Sequence, residues 1–284
     1  MDPLDDLLRG VRGQGAVFDA SVLSPPYSVR IGTGAPLTLC CPLRGEGWLV
    51  RGEQAHRVRA GEAAVVTGPE PFVFADSPEP GPAGDAGPGD RTVLLTGSYE
   101  IGGEVARRLV RVLPPMLVVS DEHGCSTMAE YLEFQLLSGR PGHQLVLDRL
   151  LDWLLVCTLR EWFARPEAVV PGWYAALGDD VVGPALRAIH GSPAEPWTLA
   201  SLAEAASVSR TTLAKRFTEL VGEPPLAYLT SWRMALAADM LTEPAATVAS
   251  VARKVGYADA FGFSTAFKRV LGKSPTAYRT AATG

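Results

Sequence analysis

The sequence predicts an α+β protein of two domains. The first is a small antiparallel β-barrel of jelly-roll type carrying helices. The second is all-α, one helix-turn-helix unit written twice and joined by a long helix. Three observations predict this. Residues 16–99 alternate short apolar runs with glycine turns. From about Glu104 the apolar period becomes helical. Residues 198–279 hold one pattern repeated about fifty positions apart, and such repeats constrain a whole fold.

Strands are expected at Ala16–Leu23, Tyr27–Ile31, Leu37–Leu43, Gly47–Val50, His56–Val58, Ala63–Val66, Phe72–Phe74 and Arg91–Tyr99. Gly45, Gly52, Gly61 and Gly68-Pro69 punctuate them, as turns of a small barrel would. Residues 78–90 hold four prolines and four glycines and are expected to form a mobile loop. The adjacent Cys40 and Cys41 should point to opposite faces of their strand.

Helices are expected at Glu104–Leu113, Met128–Leu137 and Leu147–Arg165. In the last, Leu147, Leu150, Leu151, Leu154, Leu155, Thr158, Leu159 and Trp162 make a broad inward stripe, while Trp153, Val156 and Cys157 occupy the other side. That second apolar face suits a homodimer contact; a helix buried only within its own chain stays an equal alternative. The first domain is read as residues 1–175, a linker with a short helix, Asp179–His190, as 176–196, and the second domain as 197–284.

In the repeat, Ser209 corresponds to Asp259, Leu213 to Phe263, Phe217 to Phe267, Gly222 to Gly272, Pro225 to Pro275 and Tyr228 to Tyr278. Thr198 and Thr247 cap the first helix of each copy, and Ser209 and Asp259 the second. Gly222 and Gly272 suit left-handed helix ends, and prolines then forbid continuation. The turn is one residue longer in the second copy. Between the copies, Leu226–Leu241 should be one helix with Leu229, Trp232, Arg233, Leu236, Ala237 and Met240 on one face. Rigidly spaced paired helices of this kind can enter successive major grooves of a duplex. Charge agrees: residues 197–284 carry ten Lys/Arg against six acids, whereas the whole chain is −5, leaving −9 for residues 1–196.

The C-terminal third resembles the AraC/XylS family of bacterial transcription regulators. The match is carried by Trp197-Thr198-Leu199, Leu202-Ala203, Ser209-Arg210-Thr211-Thr212-Leu213, Arg216-Phe217, Gly222-Glu223-Pro224-Pro225, Val255-Gly256-Tyr257, Ala266-Phe267-Lys268-Arg269 and Gly272-Lys273-Ser274-Pro275. Upstream, Gly61-Glu62-Ala63-Ala64-Val65-Val66 resembles a step of the cupin-like sensor domains in that family. The resemblance implies that the second helix of each unit faces DNA. Its base-edge candidates are Arg210, Thr211, Ala214, Lys215 and Thr218 in the first copy. In the second they are Ala260, Phe261, Gly262, Ser264 and Thr265. This second set departs from the family's polar pattern: it is small and apolar, suited to thymine methyls and poor in hydrogen bonds. Arg216, Arg253, Lys254, Lys268, Arg269 and Lys273 are expected to contact phosphates, which position without specifying sequence. The implied partners are double-stranded promoter DNA, RNA polymerase, a small-molecule effector and a second copy of the chain through Leu147–Arg165.

An effector pocket is expected around Tyr27, Trp48, Phe72 and Phe74. No metal, cofactor or catalysis is expected. His56 is the barrel's one histidine and has no partner at ligand spacing, and His123-Gly124-Cys125 offers too few donors for zinc. With no run of 18 apolar residues and no signal-peptide pattern after Met1, a cytoplasmic protein is expected. The four cysteines (40, 41, 125 and 157) lack CxxC spacing and read as reduced thiols. Two other readings stay open: a cupin-type enzyme with an appended helical domain, and a ligand-independent DNA-binding protein whose barrel serves dimerisation.

Overall fold

A computed structural model of the chain describes residues 11–13, 21–32, 34–79, 81, 91–120, 131–132, 141–165, 168 and 170–283. Its contacts group Val11–Ile101 with Leu113–Val169 as a sheet unit, and Gly102–Val112 with Val170–Gly284 as a helical unit. The strands are β1 (Val11–Gly13), β2 (Ser21–Leu23), β3 (Ser28–Ile31), β4 (Leu37–Arg44), β5 (Glu46–Arg51), β6 (Gln54–Arg59), β7 (Glu62–Thr67), β8 (Phe72–Ala75), β9 (Thr92–Ile101) and β10 (Met116–Ser120).

The strands form two antiparallel sheets. One runs β1-β9-β4-β7-β10 with β2 also on β9; the other runs β3-β8-β5-β6. Among the described residues no ladder joins them, so the expected closed barrel is a pair of facing sheets. Tyr27, Cys40, Leu49, Val58, Val66, Phe72, Phe74 and Leu94 fill the layer between them. Hairpins such as β5–β6 are local and legible, whereas closure depends on long-range edge pairing that local patterning does not encode.

The larger sheet is covered on its outer face by α2 (His143–Ala164), which follows α1 (Gly103–Val110) in the chain. Tyr99 donates its hydroxyl to the Leu151 carbonyl at 2.7 Å. A Cβ on Gly97 would meet Leu151 Cδ1 at 2.6 Å, so any larger residue there would require the Leu151 side chain to move. Cover on both faces explains why β4 reads as a continuous apolar run. Cys40 enters the layer between sheets and Cys41 the helix-covered face, and both are buried. Burial, then the neighbouring Cys41, raises the Cys40 thiol pKa well above its ordinary value. On the far side of α2, Leu145, Val146 and Trp153 are exposed. The expected helix at Met128–Leu137 lies mostly outside the described residues; Tyr131 and Leu132 are helical.

The helical unit contains α1 (Gly103–Val110), α3 (Gly172–Ala175), α4 (Val182–Gly191), α5 (Leu199–Ala205), α6 (Arg210–Val221), α7 (Pro225–Leu241), α8 (Val248–Lys254), α9 (Ala260–Leu271) and α10 (Pro275–Thr283). Two boundaries differ from expectation. The α1 segment packs on α7, although its sequence neighbours are strands of the other unit. The Asp239 carboxylate of α7 accepts from the backbone N–H groups of Glu104 and Val105 at the start of α1, and Arg108 donates to the Ser231 carbonyl at 2.7 Å. The segment read as a linker is structural: Val182, Ala185, Leu186 and Ile189 of α4 are fully buried against the unit.

The joining helix α7 is not one-faced. Tyr228, Leu229, Trp232, Met234, Ala235, Ala237, Ala238 and Leu241 are all buried, as expected of a helix enclosed by neighbours. Pro225 and Pro275 also do more than end the preceding helices. Each sits at the first turn of the next one, where its missing N–H costs nothing.

Candidate nucleic-acid interface

The repeat in sequence is a repeat in local geometry. Thr198 Oγ1 accepts from the Ser201 N–H at 3.1 Å, while Ser201 Oγ accepts from the Thr198 N–H at 2.9 Å. Thr247 and Ser250 form the same reciprocal box, both bonds at 3.1 Å. Between the paired helices the chain turns at a left-handed residue, Ser207 (φ 55°) in the first copy and Gly256 (φ 81°) in the second. Ser209 Oγ then accepts from the Thr212 N–H at 3.1 Å to start α6. Asp259 starts α9 by accepting from the N–H groups of Phe261 and Gly262 at 2.8 and 2.7 Å. Gly222 (φ 90°) and Gly272 (φ 76°) end the two helices. Inside, Phe217 meets Tyr228 edge-on at 5.7 Å, and Phe267 meets Tyr278 edge-on at 5.6 Å.

These contacts anchor one face of α6 and of α9 and leave the other outward. Leu213 and Phe217 are buried, while Arg210, Thr211, Lys215 and Thr218 are exposed and Ala214 is half-buried. In α9, Phe263, Ala266 and Phe267 are buried; Phe261 and Thr265 are exposed, and Ala260, Gly262 and Ser264 are half-buried. Every base-edge candidate is therefore at least partly accessible.

The ten positive charges divide by role. Arg253, Lys254, Lys268, Arg269 and Lys273 are exposed. Lys215 is exposed too, with Glu219 Oε1 3.9 Å away, and so is Arg210. Three others also hold partners within the unit. Arg216 binds Asp179 at 2.9 Å, and that carboxyl, also held by the Val182 N–H, lies below the usual carboxylate range. Arg233 donates to the Pro193 and Glu195 carbonyls at 2.7 and 2.6 Å, just ahead of the first copy. Arg279 donates to the Ala246 carbonyl at 3.0 Å, just ahead of the second. The Arg216 side chain is 48% exposed and pairs with Asp179, 37 positions away in the chain, so a phosphate contact there would share the guanidinium with that carboxylate. No sequence signal short of the fold would have found that pair or the Asp239 cap.

The four aromatic residues expected to line an effector pocket do not converge. Tyr27, Phe72 and Phe74 pack in the layer between the sheets, with Tyr27 stacked on Phe74 at 5.8 Å and its hydroxyl donating to the Glu46 carbonyl. Trp48 precedes the inward Leu49 on β5, so strand alternation sets it on the sheet's other face, half-buried. His56 is exposed on β6; His123 and Cys125 lie outside the described residues. No described helix is long and apolar enough to cross a membrane.

Comparison with known proteins places the chain. A family model described as Cupin matches residues 2–164, more than half of the chain, and one described as a helix-turn-helix domain matches residues 202–281. A Streptomyces lividans protein named as an AraC-like transcription regulator is 36% identical over 298 aligned residues, covering 98% of both chains. A Streptomyces antibioticus protein with the same description is 33% identical, again over 98% of both. The HTH-type transcriptional regulator AlkR of Acinetobacter baylyi is 37% identical over 140 residues, 49% of this chain and 45% of that one. The resemblance noted in the C-terminal third thus extends over nearly the whole length, and this chain belongs to the AraC-like family of DNA-binding transcription regulators, with a cupin domain ahead of its helix-turn-helix domain.

Proposed function

We propose that α5–α6 and α8–α9 act as two helix-turn-helix units that grip double-stranded promoter DNA through the outward faces of α6 and α9. The observation that carries this is the accessible first turn and a half of both helices, presented by caps and stops at corresponding positions. In the first unit Arg210, Thr211, Ala214, Lys215 and Thr218 face base edges; in the second, Ala260, Phe261, Gly262, Ser264 and Thr265 do. Arg253, Lys254, Lys268, Arg269 and Lys273 contact phosphates, which supply affinity without sequence preference. Effector control and RNA polymerase contact are further parts of this reading. The effector's influence is assigned to the sheet unit as a whole. A second copy of the chain pairs through α2, where Leu145, Val146 and Trp153 are exposed. The reading is of a regulator rather than an enzyme, in line with the description of its relatives as transcription regulators.

Two substitutions separate reading from gripping. Lys215→Ala should cost about 1–3 kcal/mol on the preferred duplex and relax preference at one base pair, the signature of a lost contact to guanine O6 and N7. Affinity measured against a panel of single-base-pair variants decides it, and an unchanged panel removes Lys215 from the reading face. Lys268→Ala should weaken binding to all duplexes alike and reduce the salt slope by about one. Titration at several salt concentrations tests this; a loss confined to one base position contradicts the phosphate role.

A further inference from the structure

We propose that the two heads use different chemistry, and that α9 selects thymine by apolar contact, the Phe261 ring lying against the C5-methyl group. This rests on the DNA-binding role assigned above. Phe261 is 84% exposed, far beyond the other exposed large hydrophobics among the described residues. One exposed apolar side chain is ordinary on a protein surface. Phe261 is distinguished by its place and its neighbours. It is the second residue of α9, in the turn that contacts base edges when such a helix enters a groove. Its counterpart by the fifty-residue offset is the exposed Thr211.

Around it the side-chain donors are spent. Ser264 Oγ donates to the Ala260 carbonyl at 2.7 Å, and Thr265 Oγ1 donates to the Phe261 carbonyl at 3.1 Å. Both hydroxyl protons thus return to the helix and are not offered outward. Ala260 and Gly262 add no polar side chain. The Phe261 and Gly262 N–H groups are occupied by Asp259, whose carboxylate also repels a phosphate from this helix end. Among its reading candidates the outward turn of α9 therefore has no free side-chain donor and is dominated by one apolar ring. In α6 the positions matching Ala260, Phe261 and Thr265 are Arg210, Thr211 and Lys215, two cations and a hydroxyl. Among the major-groove edges only thymine presents a methyl group, so an apolar patch discriminates there where it cannot pair with a donor or acceptor. The cations of α9 itself, Lys268 and Arg269, sit about two turns further along, near its end.

The test uses the full chain. A randomised duplex library is selected for binding, and in the enriched sequence each thymine is replaced singly by uracil, which pairs identically and lacks only the methyl. Wild type should lose about three- to fivefold in affinity at one or two thymines of a single half-site, the factor that burying one methyl-sized group carries. Phe261→Ala should bind the thymine duplex with a similar loss and show no further loss with uracil. It should leave the other half-site's preferences intact. Because Phe261 is exposed, its removal leaves the core contacts in place, and an unchanged thermal unfolding midpoint confirms the fold. If no thymine is uracil-sensitive, or Phe261→Ala remains equally sensitive, the thymine-methyl assignment is overturned while DNA binding stands. If the library enriches no sequence, the DNA-reading role falls with it.

Discussion

Trp232→Ala is expected to lower the stability of the helical unit by about 3–5 kcal/mol, the range for truncating a large buried aromatic. Trp232 is 1% exposed and heads the largest fully buried side chains of the chain. It lies on α7, which is enclosed on several sides and packs against α8, α9, α10 and α1 as well as α6. The His190 ring of α4 lies 4.2 Å from its ring centroid. A cavity there loosens the helix that both copies lean on, so binding by both heads should fall together. Trp232→Phe separates volume from polarity. The indole Nε1 is buried without a hydrogen-bond partner among the described residues, and phenylalanine removes that cost along with part of the ring. It should cost under about 1.5 kcal/mol, as better-conserved volumes do. Urea unfolding followed by circular dichroism measures both. A loss below about 1 kcal/mol for Trp232→Ala would show that α7 is not the enclosed spine described here.

What could be read from the residues alone follows the range of the interactions. The caps at Thr198, Ser209, Thr247 and Asp259 and the stops at Gly222 and Gly272 are local, and the structure places each at the helix boundary expected of it. Hydroxyl back-bonding at Ser264 and Thr265 is local as well, and serine or threonine inside a helix signals it. The strand β10, Met116–Ser120, was hidden because its five residues follow a helical stretch and carry no turn-bounded alternation. Helix α10 is obscured in the sequence because Pro275 reads as a terminator, although proline is equally a first-turn residue. The remainder depends on distant partners. Asp239 caps a helix 135 positions upstream, Arg216 is claimed by Asp179, and Trp48 faces away from the aromatic residues grouped with it. Composition places basic residues near the reading helices, but only packing separates Arg233 and Arg279, which brace the entry to each copy, from the cations left for phosphate.

Acid should weaken the helical unit through His190. The residue is 4% exposed, and its Nε2 lies 2.8 Å from the Tyr228 hydroxyl. Burial first, then the charge of Arg108, lowers its pKa to about 3. In the unfolded chain a histidine binds its proton near pH 6.5. Between pH 6.5 and 3 the unfolded state therefore holds a proton that the native state refuses. The stabilisation is complete above pH 6.5 and declines as pH falls through that window, by about 1.4 kcal/mol per unit, or roughly 2 kcal/mol at pH 5. Carboxylates add their own acid dependence, so the informative quantity is a difference. His190→Gln keeps a nitrogen near the position of Nε2 but cannot titrate. Urea unfolding of both proteins at pH 7.5 and pH 5.0 should show the wild type losing about 2 kcal/mol more than the variant on acidification. Equal losses in the two proteins would mean that His190 accepts its proton in the native state, and that the Tyr228–His190–Trp232 contact opens to water well above the pH at which the rest of the unit unfolds.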